Sequence, residues 1–300
     1  MNIVVTGGAG FVGRSLVRWF HKQGHHLTVV DRLPYRGGLA VDVVQGDLRD
    51  PDVVDQSLAS DTDAVIHLAA MTYVLKSKER PHEVFENNVL VTQSLLERTR
   101  QLGIRHFVFA STNAVAGDHG EDVIDETSTP NPLTPYGATK AAAEMLINGY
   151  RHSYGLLATT LRFTNAYGVG MEFKDSVVPR FVRAIRAGDP VTVYGDGTQV
   201  RDYVYVSDMC RAFELALTKD FAGTLCIGYG RSYSVLDLVA KLEAVAGRRA
   251  AINFVPPKPG EMPAVRVAPV RARESLGWRA EVGLDEGLAR VWEDLKTARP

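Results

Sequence analysis

Tyr136 and Lys140 stand four residues apart in the segment Tyr136-Gly137-Ala138-Thr139-Lys140. On a helix that spacing puts both side chains on one face, about a turn from each other. A phenol is a poor base at neutral pH, but a neighbouring ammonium favours the phenolate, so the pair reads as a general base and its electrostatic partner. A second chemical feature opens the chain. Thr6-Gly7-Gly8-Ala9-Gly10-Phe11-Val12-Gly13 follows a short apolar run and precedes a helical pattern. Its glycines fall where the backbone must turn tightly, with N–H groups and the positive helix end facing a phosphate, which makes Gly7, Gly10, Phe11, Val12 and Gly13 candidates for holding a dinucleotide. Asp31 follows the second apolar run, where a carboxylate can accept both hydroxyls of an adenosine ribose. It would repel a 2′-phosphate, which Arg32 would only partly offset, so the expected cofactor is NAD rather than NADP. The positive nicotinamide ring would then favour the Tyr136 phenolate further, and Lys140 can hold the nicotinamide ribose.

These residues need a scaffold that brings them together. Apolar runs at 3–5, 27–30, 41–44, 64–68, 107–110 and 158–163 are mostly continuous rather than alternating, as in strands covered on both faces. Segments 12–20, 84–100 and 136–154 between them carry apolar residues at helical intervals, with Pro135 as a start signal for the third. The expected fold is α/β, a doubly wound parallel sheet of Rossmann type with a smaller mixed α/β substrate-binding lobe. Residues 1–165 read as the NAD-binding domain. Residues 166–300, denser in Gly and Pro, read as the substrate lobe, interleaved with the first. Near the end, Leu284, Leu288, Val291, Trp292 and Leu295 share one face of a packed terminal helix.

Composition narrows the partners. With 34 basic against 35 acidic side chains in 300 residues, nothing suggests a grip on nucleic acid or on an anionic membrane. Cys210 and Cys226 are too few for a disulfide framework and lack metal-ligand spacing, so no metal is expected and the natural setting is a reducing cytoplasm. No signal peptide or membrane span is expected.

Taken in order, Thr6–Gly13, Gly46-Asp47-Leu48, His67-Leu68-Ala69-Ala70, Tyr136–Lys140, Leu161–Asn165, Arg201–Asp208, Pro259-Gly260-Glu261 and Leu276-Gly277-Trp278 resemble the motifs of the extended short-chain dehydrogenase/reductases, in particular the NAD-dependent epimerase/dehydratase family and its 4-epimerases of the UDP-glucose type. The resemblance covers essentially the whole chain. It implies that Asp47 and Leu48 flank adenine, that Leu68, Ala69 and Ala70 pass near the pyrophosphate and ribose, and that Asn88 lies near the cofactor. It implies Thr112 as the third member of a catalytic set with Tyr136 and Lys140, with Ser111 as the neighbour that could share its role. It also implies a nucleotide-sugar site containing Thr112, Asn165, Val178, Tyr194, Arg201, Lys258 and Glu261. Lys258 departs from the arginine common in relatives, and Thr72 from a lysine of the galactose-type enzymes.

Relatives that eliminate water across C5 and C6 resemble Thr-Asp-Glu at this strand end, and those that decarboxylate a uronic acid resemble Thr-Ser-Glu. This chain has Asn113 and Ala114 after Thr112, which leaves proton transfer at C5 without an evident agent. The expected activity is 4-epimerisation of a UDP- or dTDP-hexose, including UDP-glucuronate or a UDP-N-acetylhexosamine, through a transient 4-keto sugar. The alternatives are a 4-ketoreductase, a UDP-glucuronate decarboxylase or 4,6-dehydratase, and a non-catalytic NAD-binding sensor. The two long helices resemble those that pair in family dimers, so a homodimer is expected.

Overall fold

The computed structural model describes residues 1–72, 76–257 and 262–297. Six parallel strands appear where the apolar runs lie: β1 (Asn2–Thr6), β2 (His26–Asp31), β3 (Asp42–Gln45), β4 (Ala64–His67), β5 (His106–Thr112) and β6 (Leu157–Phe163). The chain then leaves this sheet to form β7 (Asn165–Tyr167), β8 (Val191–Tyr194) and β9 (Val200–Tyr205), and returns with β10 (Gly223–Ile227) as the seventh strand beside β6. The full order is β10-β6-β5-β4-β1-β2-β3. β11 (Ser232–Ser234) pairs with β9, which also pairs with β7, and β12 (Ile252–Val255) pairs with β8.

Both faces of the main sheet are covered, which is why its strands read as unbroken apolar runs. Val5, Leu16, Phe20 and Phe213 pack on one face, beneath the helices Phe11–Lys22 and Val206–Thr218. Val4, Val65, Phe107, Leu95 and Ile147 pack on the other, beneath Val91–Gln101 and Pro135–Tyr154. A separate apolar cluster holds the smaller lobe, including Leu288, Val291 and Trp292 of the helix Leu284–Thr297, all buried as the helical spacing predicts.

Two local departures matter for the site. The segment read as one helix over 84–100 is Pro81–Phe85, a π turn over Glu86–Leu90, then Val91–Gln101. A π turn fits an extra residue into one turn and so changes which side chains face the sheet. The second is the start of the helix Pro135–Tyr154. Thr134 caps it by accepting from the Gly137 N–H, Pro135 occupies the first turn, and Gly155 ends it at φ +69°. A Cβ on Gly137 would lie 2.6 Å from the Ala114 carbonyl. Only glycine lets this helix approach the turn after Thr112 so closely.

Candidate active site

A cavity of about 390 Å³ runs along the carboxyl ends of the central strands, from Asp31 at the end of β2 to Thr112 at the end of β5. Strand order reverses between β1 and β4, the crevice where doubly wound sheets take their ligands. Of the fifteen residues expected around the dinucleotide, fourteen line this cavity: Gly7, Gly10, Phe11, Val12, Gly13, Asp31, Arg32, Asp47, Leu48, Leu68, Ala69, Ala70, Tyr136 and Lys140. Asn88 does not. It is buried, accepting from the Met71 N–H at 2.8 Å and donating to the Thr139 hydroxyl at 3.0 Å, while Asn87 lines the cavity instead. The π turn at Glu86–Leu90 accounts for the exchange, and neither composition nor spacing announces it.

The glycine turn fits a dinucleotide. A Cβ on Gly13 would lie 2.2 Å from the Gly7 carbonyl, so the turn folds backbone against backbone with no side chain across the helix start. Gly10, the N-cap of Phe11–Lys22, provides no side-chain cap, which leaves the first-turn N–H groups to a phosphate. Asp31 is aimed by two backbone donors, Ala9 N–H to Oδ2 and Leu33 N–H to Oδ1, each at 3.0 Å. Each carboxylate oxygen keeps a lone pair for a ribose hydroxyl. Asp47 is held ionised by Arg49, whose hydrogen bonds push its carboxyl below the usual range.

Beneath this turn lies a buried chain of hydroxyls and one imidazole. Thr92 donates to the Asn88 carbonyl at 2.7 Å, so the 3.1 Å contact between Thr92 Oγ1 and His67 is donated by Nε2 of the ring. His67 Nδ1 therefore accepts from Thr6 Oγ1 at 2.7 Å. Burial, and then the Lys140 charge, pull the imidazole down to about 3. It is a neutral strut between β1, β4 and the helix of Asn88.

At the other end, Thr112, Tyr136 and Lys140 meet. Tyr136 is hydrogen-bonded with Thr112, whose Oγ1 also accepts from the Ala114 N–H at 3.2 Å. Lys140 donates from Nζ to the Ala110 carbonyl at 2.8 Å and lies 4.2 Å from the centre of the Phe109 ring. The electrostatics differ from the sequence expectation. Burial pushes the Tyr136 phenol up to about 12, opposed only by the Thr112 hydrogen bond, and pulls the Lys140 ammonium down to about 7 against the raising effect of Glu144. Lys140 alone does not make this phenol acidic. Ser111 also lines the cavity, but its hydroxyl donates to Glu144 Oε1 at 2.5 Å, whereas Thr112 is the hydroxyl bonded with Tyr136.

A second cavity of about 370 Å³ adjoins the first, sharing Phe11, Val12, Thr72, Thr164, Ala166 and Lys174. Asn165, Val178 and Arg201 line it, as expected of the substrate side. Asn165 Nδ2 donates to the Asp202 carbonyl at 3.0 Å. The Asp202 carboxylate is structural, taking the N–H groups of Tyr229 and Gly230 at 2.8 and 2.7 Å. Tyr194 lines neither of these two cavities; its ring carries the Arg180 guanidinium at 5.6 Å. Lys258 and Glu261 lie outside the described residues. Lys174, which the sequence offers with Arg180, Arg183 and Arg186 as a partner for a uronic-acid carboxylate, lines both cavities at their junction.

Residues 3–228 match the model of the NAD dependent epimerase/dehydratase family. The chain belongs to the NAD-dependent epimerase/dehydratase family. It is 33% identical over 325 residues to a dTDP-glucose 4,6-dehydratase of Streptomyces niveus, covering 99% of this chain and 96% of that one. A UDP-glucose 4-epimerase of Thermus thermophilus, solved in complex with NAD, superposes with a TM-score of 0.95 at 34% identity over 100% of both chains. MoeE5, solved with UDP-glucuronic acid and NAD, gives 0.92 at 35% identity over 99% of both. Membership makes NAD the cofactor of this chain. Epimerases and dehydratases stand at the same distance within the family, so overall similarity does not choose between them.

Proposed function

We propose that this enzyme is a nucleotide-sugar 4-epimerase. The observation that carries the reading is the side-chain set around Thr112. Thr112, Tyr136 and Lys140 are together there, whereas the carboxylates among the described cavity-lining residues are Asp31 and Asp47. Those belong to β2 and to the turn after β3, three and four strands from β5, and at ~4.8 Å per strand that is roughly 14–19 Å away. Glu144 is nearer, but its carboxylate is buried and tied to Arg162 and Ser111. A dehydratase or decarboxylase needs an added acid or base for C5, and among the described cavity-lining residues no carboxylate stands beside Thr112.

When bound, NAD supplies reversible oxidation at the sugar C4. Tyr136 takes the C4 hydroxyl proton and later returns it, Thr112 holds the sugar oxygen beside the phenol, and Lys140 stabilises the phenolate. Asn165 and Arg201 take the nucleotide diphosphate, with the guanidinium suited to phosphate oxygens, and Val178 gives the same cavity an apolar wall. The substrate class is a UDP- or dTDP-hexose, with UDP-glucuronate and UDP-N-acetylhexosamines included. Residues 1–165 act as the NAD-binding domain and 166–300 as the nucleotide-sugar lobe. A cytoplasmic homodimer completes the reading, supported by exposed apolar side chains on its two long helical segments: Phe85, Leu90, Met145 and Tyr154. No helix among the described residues is long and apolar enough to cross a membrane.

Incubation with UDP-glucose, UDP-N-acetylglucosamine, UDP-glucuronate and dTDP-glucose, followed by NMR, tests the activity. The expected product is a C4 epimer with no net change in NAD. Release of water or carbon dioxide would overturn it, and stoichiometric oxidation of reduced cofactor would make the enzyme a ketoreductase.

A further inference from the structure

Glu144 lies one helical turn beyond Lys140 and two beyond Tyr136, on the same face of the helix Pro135–Tyr154. It is 1% exposed. Its carboxylate accepts three charge-assisted contacts from Arg162 on β6, at 3.1, 3.1 and 2.7 Å, and the Ser111 hydroxyl on β5 at 2.5 Å. Ser111 and Arg162 are register partners on the adjacent strands, and Ser111 directly precedes Thr112. One carboxylate thus joins the helix of Tyr136 and Lys140 to the strand end of Thr112.

Stability alone is a poor reason for this arrangement. A buried ion pair is often no better than apolar side chains of similar volume, because both charges must be desolvated. Here Arg162 Nη1 is moreover buried with no hydrogen-bond partner among the described residues, a further cost that an apolar pair would avoid. The residues that Glu144 reaches are the ones proposed to do the chemistry.

We infer that Glu144, clamped by Arg162 and Ser111, is a positioning residue that sets the catalytic helix against the Thr112 strand end and places a carboxylate one turn from Lys140. The inference rests on the reading of Tyr136 and Lys140 as the catalytic pair. The groups around Lys140 are the Ala110 carbonyl and Phe109 ring from β5, His67 from β4, and Tyr136 and Glu144 one turn either side on its own helix, with Arg162 facing Glu144 from β6. Of these charged or titratable groups, Glu144 is the one that raises the ammonium.

The test compares Glu144→Gln/Arg162→Gln, which replaces the ion pair by neutral amides, with wild type and Tyr136→Phe. The Lys140 ammonium is titrated by nitrogen NMR in the cofactor-free protein, its resonance assigned by loss in Lys140→Met. In the double variant we expect that titration about one pH unit lower, and kcat lower by about tenfold with the nucleotide-sugar KM unchanged. An unchanged Lys140 titration with unchanged kcat overturns the inference, as does a loss of thermal stability with the titration unmoved, which is what a merely structural pair would give. If the double variant does not fold, Glu144→Asp decides. It keeps the charge and withdraws the clamp by one methylene, so kcat should fall at least about threefold, and an unchanged kcat overturns the inference. An active Tyr136→Phe would instead refute the underlying site assignment.

Discussion

Lys140 Nζ is bonded to the Ala110 carbonyl at 2.8 Å, which ties the ammonium to the strand that carries Thr112 two residues later. The charge is thereby held at a fixed place even though burial disfavours it. In the folded protein its pKa drops from 10.5 to about 7. Between those values the unfolded chain binds a proton that the folded chain does not, so this group makes stability rise with pH from about 7 to 10.5. Urea unfolding of the cofactor-free protein should show up to about 1.4 kcal/mol per pH unit from this source, and Lys140→Met should remove that slope. His67, lowered from 6.5 to about 3, acts with the same sign at acid pH, so stability should fall as pH drops below about 6.5.

Tyr136→Phe keeps the buried ring and deletes the hydroxyl that Thr112 bonds. We expect kcat to fall by about 10²–10⁴, with circular dichroism unchanged. Thr112→Val should cost about tenfold to hundredfold. In the cofactor-free protein the phenol should stay protonated well above pH 10, since burial holds it near 12; phenolate absorbance, read as the difference between wild type and Tyr136→Phe, measures this directly. Addition of NAD should bring the transition down.

Gly13→Ala places a methyl group 2.2 Å from the Gly7 carbonyl, so the turn must open. Cofactor retained through purification, assayed after acid release, should drop by at least about tenfold. Wild-type NAD content in this variant would show that the turn does not hold the pyrophosphate.

Asp31→Asn removes the carboxylate charge assigned to the ribose while leaving an acceptor for Ala9 or Leu33. Calorimetry on stripped protein should show weaker NAD binding and a preference over NADP narrowed by about tenfold. If the preference is unaltered, Arg32 and its neighbours set it instead.

Arg201→Ala should raise KM for the nucleotide sugar by about tenfold with little change in kcat, because the guanidinium lines the second cavity and not the Thr112 end. A fall in kcat alone would move Arg201 to the chemical step.

Much of this was legible in the chain because it is local. Strands covered on both faces are unbroken apolar runs, and the six that carry the site were placed by that signal. The glycine turn and the Tyr136–Lys140 spacing are set by a few consecutive residues, so fourteen of fifteen expected dinucleotide residues converge on one cavity. The exception, Asn88, lies in a π turn, which apolar periodicity does not reveal; there it is buried and Asn87 lines the cavity.

By itself, the order of residues determined the doubly wound sheet and its glycine turn, and it singled out Tyr136 and Lys140 as the proposed catalytic pair, since each depends on spacing along one segment. The tertiary structure decided what depends on distance across the chain. It set how strongly burial opposes the charge on Tyr136 and Lys140, and it committed Ser111 to Glu144, 33 residues away. Desolvation and long-range hydrogen bonds are properties of the packed interior, and no local pattern contains them.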